Sequence, residues 1–487
     1  MEKRNKWAAV GTIALVLALA AAAHSASFPQ TVGGSAPPSL DRAAKGRIVD
    51  WVGAKLAEIY VFPDVAAKAA ALLREKLRAG AYDGVADIEA FTRTLTADLS
   101  SVAHDKHMGV RYAAEPSYRD KKENEEEERR RLEIELLNWR LDNFYFKKAE
   151  HLDGNVGYLR FDEFVDARYA GDAAVAAMNF LGRCDALIFD LRGNRGGNGT
   201  MVKLLQGYLF GDETHLCDVE VRSEGRTYQS WTPAYVPGPR LDKAEVFVLT
   251  SRRTFSAAEE FAYDLQSRKR ATIVGETTGG GGHTVRRLWN GDLKVELSVP
   301  DGRAVNPVTG TNWEGKGVAP DVACPADQAL DKAYALALAK LHDKAAGTGN
   351  MKAWLKSLLD YQQGVADPKA ISLAEMEAFQ GSYGPAQVVI EDGKLVAVEP
   401  NGTRRRMLFQ GADTFILEGN KDMKLVFERN AAGEVAAVLR ESFDGSRGGR
   451  LPKDRKSGEG FAPGSGGDMS SATRLMPYPN EWPESLI

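Results

Sequence analysis

Val246-Phe247-Val248-Leu249-Thr250-Ser251-Arg252-Arg253-Thr254-Phe255-Ser256-Ala257-Ala258-Glu259-Glu260-Phe261-Ala262 is the stretch whose reading decides the fold. An apolar, β-branched run of strand type ends in Thr-Ser and turns through two arginines. It then delivers Ser256 to the start of an Ala/Glu-rich helix. This strand–turn–helix layout sets the serine at the mouth of a sheet, beside the N–H groups of a helix start. Taken alone, a serine at such a junction reads as an ordinary N-cap. Fifteen residues after Ser256 a second short strand, Ala271-Thr272-Ile273-Val274, leads into Gly275-Glu276-Thr277-Thr278-Gly279-Gly280-Gly281-Gly282-His283.

Upstream, Ala186-Leu187-Ile188-Phe189-Asp190-Leu191-Arg192 is a continuous apolar strand of the kind buried on both faces. Strand, helix and strand alternate from Val156 to Glu276, with a helix expected over Ala170 to Leu181. That is the pattern of a mostly parallel sheet with crossover helices. Residues 41–112 read as a small helical domain: Ile48, Val52, Leu56 and Ile59 recur at helical spacing, and a break falls at Phe62-Pro63-Asp64. Its tail, His104-Asp105-Lys106-His107-Met108-Gly109-Val110, runs into a strand. Residues 113–143 form a charged connecting segment, read as a solvated helix or loop over 115–135. The α/β domain spans 144–346, with a strand at Phe144-Tyr145-Phe146 and loop character after Pro300. A hinge and helix cover 347–370. Periodicity then falls to two, and 371–452 reads as a small antiparallel β barrel or sandwich. Residues 453–487 are rich in Gly, Ser and Pro, the composition of a flexible tail.

The chain of 487 residues is 44% hydrophobic and 27% charged, ordinary globular values with room for two or three domains. Lys3-Arg4-Asn5-Lys6, the apolar run Trp7 to Ala23, and Ala23-His24-Ser25 read together as a signal peptide over 1–26, followed by a linker to residue 40. A retained membrane anchor is the other reading, because the run approaches spanning length. The protein is therefore expected to be exported, periplasmic or secreted. Membrane association is expected only through a retained N-terminal segment. Removing the leader takes away Lys3, Arg4, Lys6 and Glu2, which moves the formal charge from −4 to −6. No sustained basic face remains, so nucleic acid is not an expected partner. Cys184, Cys217 and Cys324 are dispersed, lack metal-type spacing and allow at most one bridge.

Three features carry chemistry. Asp190-Leu191-Arg192-Gly193-Asn194-Arg195-Gly196-Gly197-Asn198-Gly199 breaks a buried strand into glycines, whose N–H groups can point into a cleft. It lacks the Lys-Ser/Thr of a phosphate loop, so no nucleotide is expected. Ser256 needs a neighbouring base to become a nucleophile. The candidate bases after the leader are His104, His107, His151, His215, His283 and His342. His104 and His107 lie three apart without a supporting third ligand, so neither a metal nor any other cofactor is expected.

The segments around Asp190–Gly197, Leu249–Phe261 and Val274–Gly280 occur in the order found in the tail-specific (carboxyl-terminal processing) serine protease family. They resemble its branch with interphotoreceptor retinoid-binding protein and the tricorn protease core, over about residues 40–330. The resemblance implies a crotonase-like core with a mixed sheet, and peptide or protein substrates. It also implies Ser256 as nucleophile, with the Ala257 N–H and a glycine N–H from Gly196-Gly197 as oxyanion hole. The bacterial branch carries its basic Lys 25 residues after the serine, and that position is Gly281 here. The Ser/Lys pair is therefore absent. The tricorn-like branch takes a His from the end of the helical domain, which Asp105-Lys106-His107 resembles, with an acid matching Glu314 before Gly317-Val318-Ala319-Pro320-Asp321. No serine stands beside His107 as that pattern has it; the neighbour is Lys106. His283 is the rival base. Residues 113–143 are too few for the PDZ module such proteases commonly carry. Phe379-Gln380-Gly381-Ser382-Tyr383-Gly384 resembles the start of a small domain appended to bacterial hydrolases. The expected function is an exported serine peptidase. The alternatives are a non-catalytic binding protein on the same fold, or an esterase or amidase acting on small substrates.

Overall fold

The computed structural model describes residues 40–116, 125–345 and 349–454; the leader, most of the linker and the tail beyond Asp454 lie outside them. Three helices open the chain: α1 (Arg42–Ile59), α2 (Pro63–Arg78) and α3 (Ile88–Ala103). Asp41 and Asp87 cap the first and third by accepting N–H groups of the first turn, and Pro63 starts the second. α3 stops because His104 takes a left-handed conformation, φ 52°. Strand β1 (Gly109–Tyr112) follows and pairs with a much later strand, so this helical region does not close its own core. Val52, Leu56, Phe91 and Leu95 bury against Val295, Leu297 and Val299 of that later strand.

The charged segment becomes α4 (Glu125–Leu141). The strand expected at Phe144 starts only at Phe146. Asn143–Tyr145 forms a single tight turn with Phe144 at φ 52°, a value incompatible with a pleated strand. Then come β2 (Phe146–Leu152), β3 (Val156–Phe161), α5 (Ala167–Phe180), β4 (Ala186–Asp190), α6 (Gly199–Gly207), β5 (His215–Val221) and β6 (Arg226–Trp231). They are followed by β7 (Glu245–Thr250), α7 (Ala257–Ser267), β8 (Thr272–Gly275), β9 (His283–Asn290), β10 (Val295–Val305), β11 (Val322–Ala323), α8 (Ala329–Lys344) and α9 (Gly349–Ala366).

The central sheet runs β11-β8-β7-β4-β3-β2, parallel throughout except at β2–β3. β4 is buried at every position, which is why it reads as an unbroken apolar run. Leu187 and Phe189 face one layer with Met178, Leu205 and Phe261 of α5, α6 and α7. Ala186 and Ile188 face the other with Leu338 and Leu358 of α8 and α9. A second, antiparallel sheet runs β1-β10-β5-β6, with β9 also on β10. Its strand β10 overturns the loop expected after Pro300. The ladder continues to Val305 because a bulge between Pro300 and Gly302 absorbs the proline. All three cysteines are free thiols.

Contacts divide the chain between Pro368 and Lys369. The second unit carries α10 (Leu373–Phe379) and an eight-stranded antiparallel meander. Its strands are β12 (Gly381–Tyr383), β13 (Ala386–Glu391), β14 (Lys394–Val398), β15 (Arg404–Gly411), β16 (Thr414–Leu417), β17 (Met423–Arg429), β18 (Val435–Ser442) and β19 (Arg447–Pro452). A bridge between Tyr383 and Lys453, with Asp454 N–H donating to Ser382 O at 2.9 Å, nearly closes it into a barrel. Phe379, Tyr383, Phe415 and Phe427 fill the interior edge to face. Among the described residues no helix is long and apolar enough to cross a membrane.

Candidate active site

Asp190 and Leu249 are register partners at the carboxyl ends of β4 and β7, so the glycine loop after β4 and the turn after β7 emerge side by side. This is where open α/β sheets place their ligands. The two loops are stapled together. Thr254 Oγ1 donates to Leu191 O at 2.8 Å, Ser251 Oγ to Arg192 O at 2.7 Å, and Phe255 N–H to Asn194 O at 3.2 Å. Asp190 anchors the loop base through Tyr158 (2.7 Å) and Arg192 (2.6 and 2.8 Å). Burial alone would raise the Asp190 carboxyl, but these partners hold it below the usual range.

Ser256 caps α7 with φ 54° and ψ −123°, a conformation that costs an L-residue on the order of 1–3 kcal/mol. Gly196 packs directly behind it: a Cβ there would lie 2.7 Å from Ser256 Cβ and 2.9 Å from Ala257 N. Of the two glycines considered for an oxyanion hole, Gly196 gives its N–H to Asn194 Oδ1 at 2.9 Å. Its carbonyl accepts Phe164 N–H at 2.8 Å. Gly197 is exposed, next to it on the loop.

Every N–H and C=O of the run Gly279–Gly282 has a partner. Gly279 N–H donates to Thr254 O at 2.9 Å, and its carbonyl accepts Lys106 Nζ. Gly280 and Gly281 donate to the buried Glu259 carboxylate at 2.6 and 2.8 Å. Their carbonyls accept Gly315 N–H (3.1 Å) and Trp313 Nε1 (2.7 Å). Gly282 donates to Glu314 Oε2 at 2.5 Å and accepts Ala304 N–H at 3.2 Å. Glu259 also accepts Ser256 N–H at 2.9 Å and the Thr278 hydroxyl. One carboxylate therefore ties the serine to the glycine run. Burial raises Glu259 against the pull of these four donors. Sequence reasoning passed over this role, although Ser256-Ala257-Ala258-Glu259 has the Ser-x-x-Glu form of a capping box.

His107 packs on Phe255, the residue before Ser256, with ring centroids 4.8 Å apart. A Cβ at Gly281 would strike Phe255 and sit 2.6 Å from His107 Cε1, so the imidazole fills the room a side chain at 281 would need. Asp105 Oδ1 accepts the His107 backbone N–H at 3.0 Å. The ring's Nδ1 is buried without a partner. Burial lowers the His107 pKa; Asp105 opposes the shift and His283 adds to it.

His283 is buried behind this layer. Its Nδ1 lies 2.7 Å from Asp105 Oδ2 and 3.5 Å from Glu314 Oε2, and Tyr60 donates its hydroxyl to Asp105 at 3.4 Å. Glu314 thus sides with His283. Its second oxygen is buried and unpartnered, so it makes no hydrogen bond to His107 Nδ1. Burial raises the Glu314 carboxyl, as does neighbouring Asp105, while His283 lowers it. Asp105, His283 and Glu314 offer ligand-type atoms within 4.8 Å of one another, but Nδ1, the atom facing both acids, is already hydrogen-bonded to Asp105. Tyr60 and Asp105 carried no sequence signal beyond the latter's place before His107.

The sequence model described as peptidase family S41 matches residues 155–324. The one described as the N-terminal domain of that peptidase in eukaryotic IRBP matches residues 40–136. The chain is 29% identical over 182 residues to carboxyl-terminal-processing peptidase 1, chloroplastic, of Arabidopsis thaliana, covering 37% of this chain and 35% of that protein. It is 26% identical over 222 residues to a carboxy-terminal-processing protease of Bartonella bacilliformis, covering 44% and 47%. The chain therefore spans less than half the length of either relative. A crystal structure of a putative peptidase from Parabacteroides merdae aligns with a TM-score of 0.44 at 17% identity, over 64% of this chain and all of that one.

Proposed function

The chain belongs to peptidase family S41, and from that premise we propose that it is a serine peptidase with Ser256 as nucleophile and His107 as base. The backbone of Ser256 carries this reading. A non-glycine residue held at φ 54° and ψ −123°, on a turn braced from both sides, is strain kept at the one place where it exposes a hydroxyl above a helix start. His107 takes the Oγ proton, and Oγ attacks the peptide carbonyl. The N–H groups of Ala257 and Gly197 receive the oxyanion. His107 then passes the proton to the leaving amine, and water resolves the acyl-enzyme. The occupancy of the space at Gly281 by His107 supports this choice of base, because that is where a lysine of the other branch would begin. Glu314 acts through the His283–Asp105 layer rather than on the His107 ring.

One observation favours His283 instead. Its Nδ1 already sits on a buried carboxylate, as in the Asp–His half of a triad, whereas His107 Nδ1 has no partner. A fluorophosphonate probe separates the readings. Wild-type protein labels and Ser256→Ala does not, and His107→Ala slows labelling by about 10²–10⁴ while His283→Ala slows it far less. The reverse order of the histidine variants makes His283 the base. Equal labelling of Ser256→Ala removes the nucleophile. Digestion of a peptide library, set against hydrolysis of small esters, distinguishes a peptidase from an esterase. Export is the matching proposal for location, and a secreted mature chain that still retains residues 1–26 would overturn leader cleavage.

A further inference from the structure

The glycine loop that backs Ser256 also forms the wall of a cleft of about 420 Å³, whose charged lining is Asp142, Lys147, Asp162, Glu163 and Arg195. Gly196 lies in that wall and against Ser256, so one loop backbone separates the cleft from the serine. The volume falls in the range of small-ligand sites and exceeds the needs of one long side chain. Its charges are not equivalent. Lys147 is paired with Asp142, and Asp162 is held by Arg160 at 3.1 Å. Glu163 and Arg195 are left, and among the described residues neither has an ionic partner.

Of these two, Arg195 is exposed and its guanidinium stays solvated, so it gains little from a partner. Glu163 is half-buried, and burial raises its carboxyl with no cation to pull it back. A partly desolvated carboxylate without a counter-charge gains most when a ligand brings one. The end of α4 delivers Asp142 to the cleft and the end of β3 delivers Asp162 and Glu163, so the site stands on regular elements as well as loops.

We propose that this cleft is the subsite for a basic side chain, lysine or arginine, flanking the scissile bond, and that Glu163 reads its charge. The proposal rests on the serine-peptidase reading above. Glu163 is a specificity residue: it touches the substrate's side chain and leaves the reacting carbonyl to the serine loop.

Peptides identical except for lysine, norleucine or glutamate, scanned across the positions flanking the cleaved bond, test it. Wild-type kcat/KM for lysine exceeds that for the isosteric, uncharged norleucine by about ten- to a hundredfold at one position. In Glu163→Gln that ratio falls to near one, whereas in Arg195→Ala it persists. A ratio that survives Glu163→Gln overturns the proposal. So does a wild-type preference for glutamate that Arg195→Ala abolishes. The same labelled peptides are bound to Ser256→Ala with and without Glu163→Gln and followed by fluorescence anisotropy. Lysine-selective binding that depends on Glu163 upholds the subsite even if no peptide is cleaved, which would count only against the peptidase reading. Binding without such selectivity, or no binding, sinks the subsite.

Discussion

Replacing Glu259 by glutamine tests whether one buried carboxylate holds the serine and the glycine run together. Glu259 Oε2 receives Ser256 and Gly281 N–H at 2.9 and 2.8 Å, and Oε1 receives Gly280 N–H at 2.6 Å and the Thr278 hydroxyl. Glutamine has one acceptor oxygen. Its least costly orientation keeps that oxygen on the two donors at Oε2 and turns the amide NH₂ toward Gly280 and Thr278. Thr278 can then rotate and accept, but its proton loses its acceptor, while the Gly280 N–H faces another donor. An orphaned buried N–H costs about 1–3 kcal/mol and a lost neutral hydrogen bond about 1 kcal/mol, so Glu259→Gln should weaken the loop by roughly 2–4 kcal/mol. Hydrogen exchange followed by mass spectrometry reads this locally. Amides of residues 278–282 should exchange roughly 30- to 700-fold faster than in wild type, at about 1.4 kcal/mol per tenfold. Labelling of Ser256 should slow in parallel. Exchange within threefold of wild type would refute the reasoning, because the loop would then be held by its other partners.

Three further outcomes follow from the same geometry. Gly281→Ala puts a methyl into Phe255 and His107 Cε1, an overpacking worth about 1–3 kcal/mol, so it should lower thermal stability and cut Ser256 labelling at least about tenfold. Unchanged labelling would mean that His107 is not needed where it sits. Burial lowers the His107 pKa, so its neutral form persists to lower pH, and the acid limb of the labelling rate should inflect below about 6.5. An inflection at or above that value contradicts the assignment. Asp264 is fully buried; its Oδ1 accepts Asn306 Nδ2 at 2.9 Å, and its Oδ2 is unpartnered. Burial, then the neighbouring Glu260, raises Asp264 well above the usual range. A raised carboxyl contributes stability that is full below its unfolded value, about 3.9, and lost as pH rises through the folded one. Wild type should therefore lose Tm relative to Asp264→Asn across that window; parallel Tm curves would count against it.

Much of this architecture is legible because local periodicity matches the buried layers. β4 and β7 are apolar at nearly every position because both faces are covered, and the meander alternates because one face is not. What local pattern misses is long-range pairing. The end of β10 reads as loop after Pro300, yet a bulge lets the ladder continue onto β5, while the half before Pro300 gives the helical region its floor. Ser256, His107, His283 and Glu314 were legible as candidates and do gather around the glycine run. Who serves whom was not. Asp105 takes the His107 backbone with one oxygen and the His283 ring with the other, an assignment set by side-chain direction rather than spacing.

The four glycines explain why that direction matters. Gly279 to Gly282 have no side chains to offer, yet each fixes its loop through both backbone groups, and the partners come from five other segments: Lys106, Thr254, Glu259, Ala304 and the turn Trp313–Gly315. A run with so little conformational restraint of its own is ordered only by such convergence, since glycine loses the most freedom on folding. The same bareness leaves room for an imidazole brought in from the end of the helical region. A side chain at 281 and a ring at His107 compete for one volume, so the absent lysine and the present histidine are a single structural fact. The proposed base, His107, stands on the turn after α3, so its placement depends on the helical region being docked, which it is through Val295, Leu297 and Val299 of β10.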